Sequence, residues 1–307
     1  MKRNFCGLIA APFTALHPDG RVNLDPIERQ MTCLKANGVA GAFVCGTTGE
    51  SLSLTNEERC RVAERWQAVA DKDFRVIVQV GHPCLADCQF LAAHAQKIGA
   101  AAIGCLAPNF FKPSTVEELA DFCAAVASAA PDLPFYFYHL PVITGVNFPM
   151  LDFLQAARGR IPNLAGIKFT HENLLDFGQC VQFEDGRFEM LFGRDEILLA
   201  GMALGACGAV GSTYNFAAPL YIALVKAFQK GDWDRARELQ FQAMQMIGLM
   251  LKYGVLVAGK AMMKFAGLDC GPVRAPLVNL NAKQTDELEK ALERLGFYSY
   301  CVKVPGV

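Results

Sequence analysis

Short apolar runs alternate along this chain with stretches in which apolar positions recur at helical spacing. The strand-like runs fall at residues 6–14, 39–45, 75–81, 101–107, 134–139, 164–170, 188–193 and 207–212. Short apolar runs rich in β-branched or small residues are what strands buried on both faces look like. Helix-like segments lie between them. One covers Asp25 to Ala36, and a second opens at Thr55-Asn56-Glu57-Glu58, a hydroxyl cap followed by acids in the first turn. Ser114-Thr115-Val116-Glu117-Glu118 opens a third in the same way, and Asn173 to Val181 and Glu196 to Leu204 supply two more. Strands each followed by a helix or a helical tail predict a parallel sheet closed as an α/β fold of the (β/α)8 TIM barrel type. An open doubly wound sheet is the alternative. It favours a glycine-rich phosphate loop after the first strand, and Ala10-Ala11-Pro12-Phe13-Thr14 contains no glycine.

After Asn215 the strand pattern stops. Residues 217–296 read as helices with the spacing of a packed bundle: Leu220, Leu224, Val225 and Phe228, then Leu239, Met244, Met246, Ile247 and Leu251. Methionine at such spacing reads as core. The expected organisation is a barrel over residues 1–225 and a C-terminal helical extension over 226–307, packed on the barrel and covering a face or a subunit contact.

Composition narrows the function. The chain has 307 residues, 52% hydrophobic and 19% charged, enough apolar material for one large core. Its net charge is -1, without the basic stripe of a nucleic-acid binder, so selectivity rests on local groups. Of twelve cysteines only Cys84 and Cys88 are close in sequence, and they lack the second pair that a zinc site needs. Met1-Lys2-Arg3-Asn4 leads straight into the first strand-like run, without the apolar stretch and cleavage site of a signal peptide. No window approaches the roughly 18 unbroken apolar residues of a membrane-spanning helix. These features predict a reduced, soluble, cytoplasmic protein without membrane partners.

Lys168 is the most informative residue. It lies in Leu164-Ala165-Gly166-Ile167-Lys168-Phe169-Thr170, an apolar run that reads as a buried strand. Desolvation lowers a lysine's pKa, and the neutral amine is the form that attacks a carbonyl to make a Schiff base. The alternative is a strand-end lysine reaching solvent or a carboxylate. Other strand ends carry matching groups. Gly46-Thr47-Thr48-Gly49-Glu50-Ser51 offers hydroxyls and backbone N–H groups to an anion such as a carboxylate. In Phe135-Tyr136-Phe137-Tyr138-His139 the two tyrosines share a face, one of them expected to meet Lys168 across the barrel, unless both merely fill it. Asp195-Glu196 either caps the next helix or binds the hydroxyls of a polyol, and Gly211-Ser212-Thr213 is placed to hold another polar group. The five histidines have no metal-triad spacing and no carboxylate cluster of the metal-dependent kind is evident, so no metal and no cofactor are expected. A lysine with tyrosine and hydroxyls points to imine chemistry.

Gly46-Thr47-Thr48-Gly49-Glu50, Tyr138 followed by Pro141 and Gly145, and Gly166-Ile167-Lys168 together resemble the dihydrodipicolinate synthase / N-acetylneuraminate lyase superfamily of class I aldolases, over nearly the whole chain. Phe192-Gly193-Arg194-Asp195-Glu196, the run Gly208 to Asn215, and Leu174 to Cys180 are similar to its sialic-acid-cleaving branch. The resemblance implies that Lys168 forms an imine with the 2-keto carbon of N-acetylneuraminate and that Tyr138 shuttles the proton of the C4 hydroxyl. It implies further that Thr47 and Thr48 cradle the carboxylate, and that Thr170, Gly193, Asp195, Glu196 and Ser212 hold the sugar chain. N-acetylmannosamine and pyruvate are the expected products, and a homotetramer the expected assembly. Three departures stand out. Many lyases have Gly-Ser-Thr-Gly where this chain has Gly46-Thr47-Thr48-Gly49, the synthase-like form, which keeps the hydroxyl and adds a methyl group. Where the synthases carry an arginine after the tyrosine this chain has Val142-Ile143-Thr144, which argues against a second carboxylate on the substrate. Asn109-Phe110-Phe111-Lys112-Pro113 replaces the tyrosine that a neighbouring subunit often inserts. Another pyruvate-dependent aldolase or dehydratase, synthase-like or acting on a sugar acid, is the second reading. A non-catalytic keto-acid binder is the third.

Overall fold

The computed structural model describes residues 5–305; Met1-Lys2-Arg3-Asn4, with the expected lead into the first strand, lies outside them. Eight parallel strands close into a barrel: β1 (Gly7–Ala10), β2 (Gly41–Val44), β3 (Arg75–Gln79), β4 (Ala102–Leu106), β5 (Phe135–His139), β6 (Leu164–Phe169), β7 (Glu189–Phe192) and β8 (Gly208–Gly211). Each strand pairs with the next, and β8 pairs with β1. Every strand falls inside its expected run, trimmed at the ends where the chain turns away to build loops. The first is trimmed most, because after Ala11 N–H bonds the Gly211 carbonyl the chain leaves the sheet at Pro12.

The helices are α1 (Ile27–Ala36), α2 (Asn56–Val69), α3 (Leu85–Lys97), α4 (Val116–Ala127), α5 (Pro141–Thr144), α6 (Met150–Ala157), α7 (Leu174–Gln182), α8 (Leu198–Ala203), α9 (Tyr214–Gln229), α10 (Trp233–Tyr253), α11 (Val255–Phe265), α12 (Ala282–Arg294) and α13 (Phe297–Tyr300). The cap signals act where the sequence places them. The Thr55 hydroxyl accepts from Glu58 N–H while the Glu58 carboxylate accepts from Thr55 N–H, and the Thr115 hydroxyl accepts from Glu118 N–H.

Strand alternation splits the core in two. Outward residues such as Ala42, Val44, Phe137, Ile167 and Phe169 pack under the helices; inward residues, among them Ile9, Phe43, Ile77, Tyr136, Tyr138, Leu191 and Val210, fill the barrel. The tyrosines that share this inner face separate by depth. Tyr136 donates its hydroxyl to Glu189 at 2.8 Å, beside Phe5, at the end where the chain enters the barrel. Tyr138 lies nearer the C-terminal ends.

Beyond the barrel, α10 buries Leu239, Ala243, Met246, Ile247 and Met250, one stripe at helical spacing. Met244 and Leu251 were expected in this core and are instead exposed, each being displaced by about 100° from the stripe. A polar residue sits on the same stripe: buried Gln240 accepts from Leu199 N–H at 2.8 Å and donates to the Asp195 carbonyl at 3.1 Å. It stitches α10 to the loop after β7. Gln240→Ala strands one buried donor and one buried acceptor, at about 1–3 kcal/mol each. Urea unfolding should show a midpoint lowered accordingly with the m-value unchanged.

Candidate active site

A cavity of about 200 Å³ opens at the C-terminal ends of the strands, where barrels of this build do their chemistry. Thr47, Thr48, Tyr138, Lys168, Thr170, Gly193, Asp195, Glu196 and Ser212 all line it. These residues come from the ends of β2, β5, β6, β7 and β8. The rest of the lining is largely apolar, built from Leu140 and Ile143 after β5, Ile247, Met250 and Leu251 of α10, and Val255 of α11.

Lys168 is 3% exposed, and its Nζ lies 4.0 Å from the centre of the Phe43 ring and 3.8 Å from that of Tyr138. Burial drives its pKa down to about 7, opposed by the charge of Asp195. The aromatic faces offer an ammonium partial compensation. Tyr138 and Lys168 are in-register partners on adjacent strands, so the tyrosine stands beside the lysine and does not meet it across the barrel as the alternation alone suggested. Consecutive parallel strands neighbour one another, and Phe43 on β2 takes the facing position.

Burial pushes the Tyr138 phenol up to about 12, opposed by the Thr47 hydroxyl; the Thr170 hydroxyl is buried with no hydrogen-bond partner in the protein. Thr47 Oγ1 lies 3.4 Å from the phenol oxygen, which makes Thr47 a neighbour of the phenol as well as a lining residue. His139, the next residue, points outward against Phe169 and His171, and burial lowers it to about 3, so it is neutral and faces away from the cavity.

Asp195 is buried, and desolvation raises its carboxyl to about 6 although the Thr213 hydroxyl and N–H donate to Oδ2 at 2.6 and 3.0 Å. Its Oδ1 lies against Gly211, where any Cβ would come within 1.8 Å; glycine is required there. Gly193 is a spacer in the same sense, since a side chain would overlap the Thr170 hydroxyl at 2.0 Å. Glu196 pairs with Arg194 at 3.2 Å, and Arg194 also pairs with Glu172. Within the turn Asp195–Ile197, then, one acid is anchored inward to Thr213 and the other is held at the mouth.

Sequence reasoning missed Phe43, Arg194 and Gln240, and it placed Thr213 as a ligand-holding group where the structure has it binding Asp195. Phe43 shares the inward parity of its strand, Arg194 sits inside a motif already singled out, and Gln240 is a polar residue on an apolar stripe, so each left a signal. The apolar wall left none, because it depends on how α10 and α11 fold back. Among the described residues no three His, Cys, Asp or Glu side chains gather as a metal-binding group, and no single helix is long and apolar enough to cross a membrane.

Lys168 has a rival. Lys260 is also buried and its pKa also lowered by desolvation, but its Nζ donates to Glu50 at 2.7 Å and it does not line the cavity. Among the described residues, Lys168 is the lysine that lines this cavity, with its amine lowered to about 7 and no acid bonded to it.

A closed (β/α)8 barrel with a polar cavity at its C-terminal strand ends has the build of an enzyme. Residues 4–295 match the model of the dihydrodipicolinate synthetase family, and the chain belongs to that family. It is 42% identical to the N-acetylneuraminate lyase of Homo sapiens over 97% of this chain and 95% of that protein. The Proteus mirabilis N-acetylneuraminate lyase superposes with a TM-score of 0.93 at 40% identity, covering 95% of this chain and 99% of that one. A sialic acid aldolase from Aliivibrio salmonicida gives 0.93 at 38% identity, covering 97% and 98%.

The sign of the Lys168 contribution to stability follows from its lowered pKa. The unfolded chain holds more protons than the folded one between about 7 and 10.5, so this group's contribution to stability improves as pH rises through that window. Below pH 7 the full cost of burying the ammonium is present. Lys168→Met should therefore raise the melting temperature, and by more at pH 6 than at pH 10, in thermal scans at constant ionic strength.

Proposed function

We propose that this protein is a Schiff-base aldolase that cleaves N-acetylneuraminate to N-acetylmannosamine and pyruvate. The observation that carries this reading is an amine lowered to about 7 inside a cavity that also presents a phenol and hydroxyls. Lys168 attacks the C2 carbonyl of the open-chain substrate and expels water, forming a cationic imine. Tyr138 takes the proton of the C4 hydroxyl while its own proton passes towards Thr47 and the substrate carboxylate. The C3–C4 bond then breaks, its electron pair flowing into the imine to give an enamine, and the C4 oxygen leaves as the aldehyde. Protonation at C3 and hydrolysis return pyruvate and the free amine. A phenol at about 12 is a poor base on its own; the positive imine beside it favours phenolate and brings it within range.

Thr48 with Thr47 is assigned to the carboxylate, Ser212, Thr170 and Glu196 to the hydroxylated chain. Asp195, tied to Thr213, contributes charge close to Lys168, and Gly193 contributes space. The Thr170 hydroxyl is buried without a protein hydrogen-bond partner, which fits a ligand contact. A synthase-like reaction needs a cation for a second carboxylate; Ile143 lines the cavity near Tyr138, and Arg194 is committed to two acids. We assign the protein to the cytoplasm, supported by twelve unbridged cysteines. The assignment of a homotetramer rests on the resemblance to the superfamily, supported by the exposed pair Phe110 and Phe111. Sedimentation giving a monomer at assay concentration would contradict it.

Borohydride with pyruvate should attach one pyruvyl-derived group at Lys168, found by mass mapping, and its rate should rise through about pH 7. Modification of Lys260 in its place would remove the basis of the mechanism. Tyr138→Phe should lower kcat by about 10²–10⁴ with trapping less affected. Glu196→Ala removes a charge-assisted partner for the sugar hydroxyls, and loss of about 1–3 kcal/mol corresponds to roughly ten- to a hundred-fold in kcat/KM for N-acetylneuraminate. Condensation of pyruvate with aspartate semialdehyde, alongside inactivity on sialic acid, would favour the synthase reading.

A further inference from the structure

The turn that carries Thr47 and Thr48 is held by charges that never reach the cavity. Thr47–Gly49 is a single 3₁₀ turn, followed by Glu50 and Ser51, both non-glycine residues at positive φ, 64° and 24°. L-residues adopt such a backbone only where the surroundings over-determine it, and such strain gathers at functional sites. Here the surroundings are specific. Glu50 is 6% exposed, and its carboxylate accepts from Lys260 Nζ at 2.7 Å and from Arg274 N–H at 2.7 Å. Lys260, on α11, donates a second hydrogen bond to the Pro272 carbonyl, at 2.5 Å. Ser51 accepts from Gln79 at 2.9 Å, and Thr14 donates to the Gly49 carbonyl at 2.8 Å. The C-terminal side of the turn is therefore tied down twice, by the barrel at Gly49 and Ser51 and by the C-terminal extension at Glu50, whose partner Lys260 is 210 residues away in sequence.

We infer that Glu50 and Lys260 are positioning residues for the reaction, through which the C-terminal extension sets the place of the Thr47 hydroxyl beside Tyr138. The inference rests on the aldolase reading above, in which that phenol moves the C4 proton. Its physical basis is directional. A carboxylate held by an ammonium and a backbone N–H has one acceptable position, and the left-handed residue that bears it transmits that position to Thr47 across three peptide units. Thr47 Oγ1 and the phenol are 3.4 Å apart, at the long edge of a hydrogen bond, so a small displacement of the turn breaks the contact. Lys168 belongs to a different strand and has no bond to this turn, so imine formation and proton transfer should respond differently.

The test compares Lys260→Met, Lys260→Arg, Glu50→Gln and the double variant Glu50→Gln/Lys260→Met with wild type, by melting temperature, sialic acid cleavage and borohydride trapping of pyruvate on Lys168. A buried pair that loses one partner is destabilised, whereas one neutralised on both sides is restored to near its original stability. The double variant should therefore melt close to wild type while kcat remains at least about tenfold down, the lower end of the range for losing acid–base assistance. KM and the trapping yield should each change by less than about threefold, and Lys260→Arg should recover most of kcat. A double variant that cleaves at the wild-type rate would reduce the pair to a contact for stability, as would losses in trapping equal to those in cleavage. If wild type forms the pyruvate imine but does not cleave sialic acid, the substrate reading fails. The pair is then judged by deuterium exchange into the pyruvate methyl group, where an unchanged rate in the double variant overturns the inference.

Discussion

The structure turns on one unfavourable act: an amine is placed inside a packed barrel with no carboxylate in contact among the described residues. The interior of a (β/α)8 barrel is core, and there a charged lysine loses hydration that nothing fully replaces. Lys168 meets two aromatic faces and, at longer range, Asp195, itself raised to about 6 by the same burial. The outcome is an amine near neutrality. A closer acid would restore the ammonium and end its nucleophilicity, and a more distant one would leave the cationic imine without compensation. Gly211 and Thr213 set that distance, the first by having no side chain and the second by binding the carboxylate.

Lys260 makes the contrast plain. Desolvation lowers both lysines, yet one is locked to Glu50 and shut off from the cavity while the other is unpaired and faces it. A perturbed pKa marks either a functional group or a structural ion pair, and geometry separates the two. The same division of labour runs through the molecule. Inward positions at the C-terminal strand ends carry polar groups, inward positions lower down are filled by Tyr136, Phe5 and Ile9, and outward positions seat the helices. The helices after the barrel give the cavity its apolar wall and, through Gln240, hold the loop that bears Asp195.

The amino-acid sequence by itself determined the order of strands and helices, since buried parallel strands and amphipathic helices write different periods into the chain. It also marked Lys168, because a lone cation in Ala165-Gly166-Ile167-Lys168-Phe169 has no easy route to water, and it marked the hydroxyl-rich and acidic strand ends. Tertiary structure alone decided the rest. Alternation puts Tyr136 and Tyr138 on one face, but only barrel depth gives one to Glu189 and the other to Lys168. Spacing made Met244 and Leu251 part of a helical core, but only the direction in which α10 packs leaves Met244 exposed and puts Leu251 at the open edge of the cavity. The pairing of Glu50 with Lys260 and the reach of Gln240 to Asp195 cross 210 and 45 residues. Such contacts leave little trace in local pattern, because a hydrogen bond is specified by where two elements meet and not by what either prefers alone.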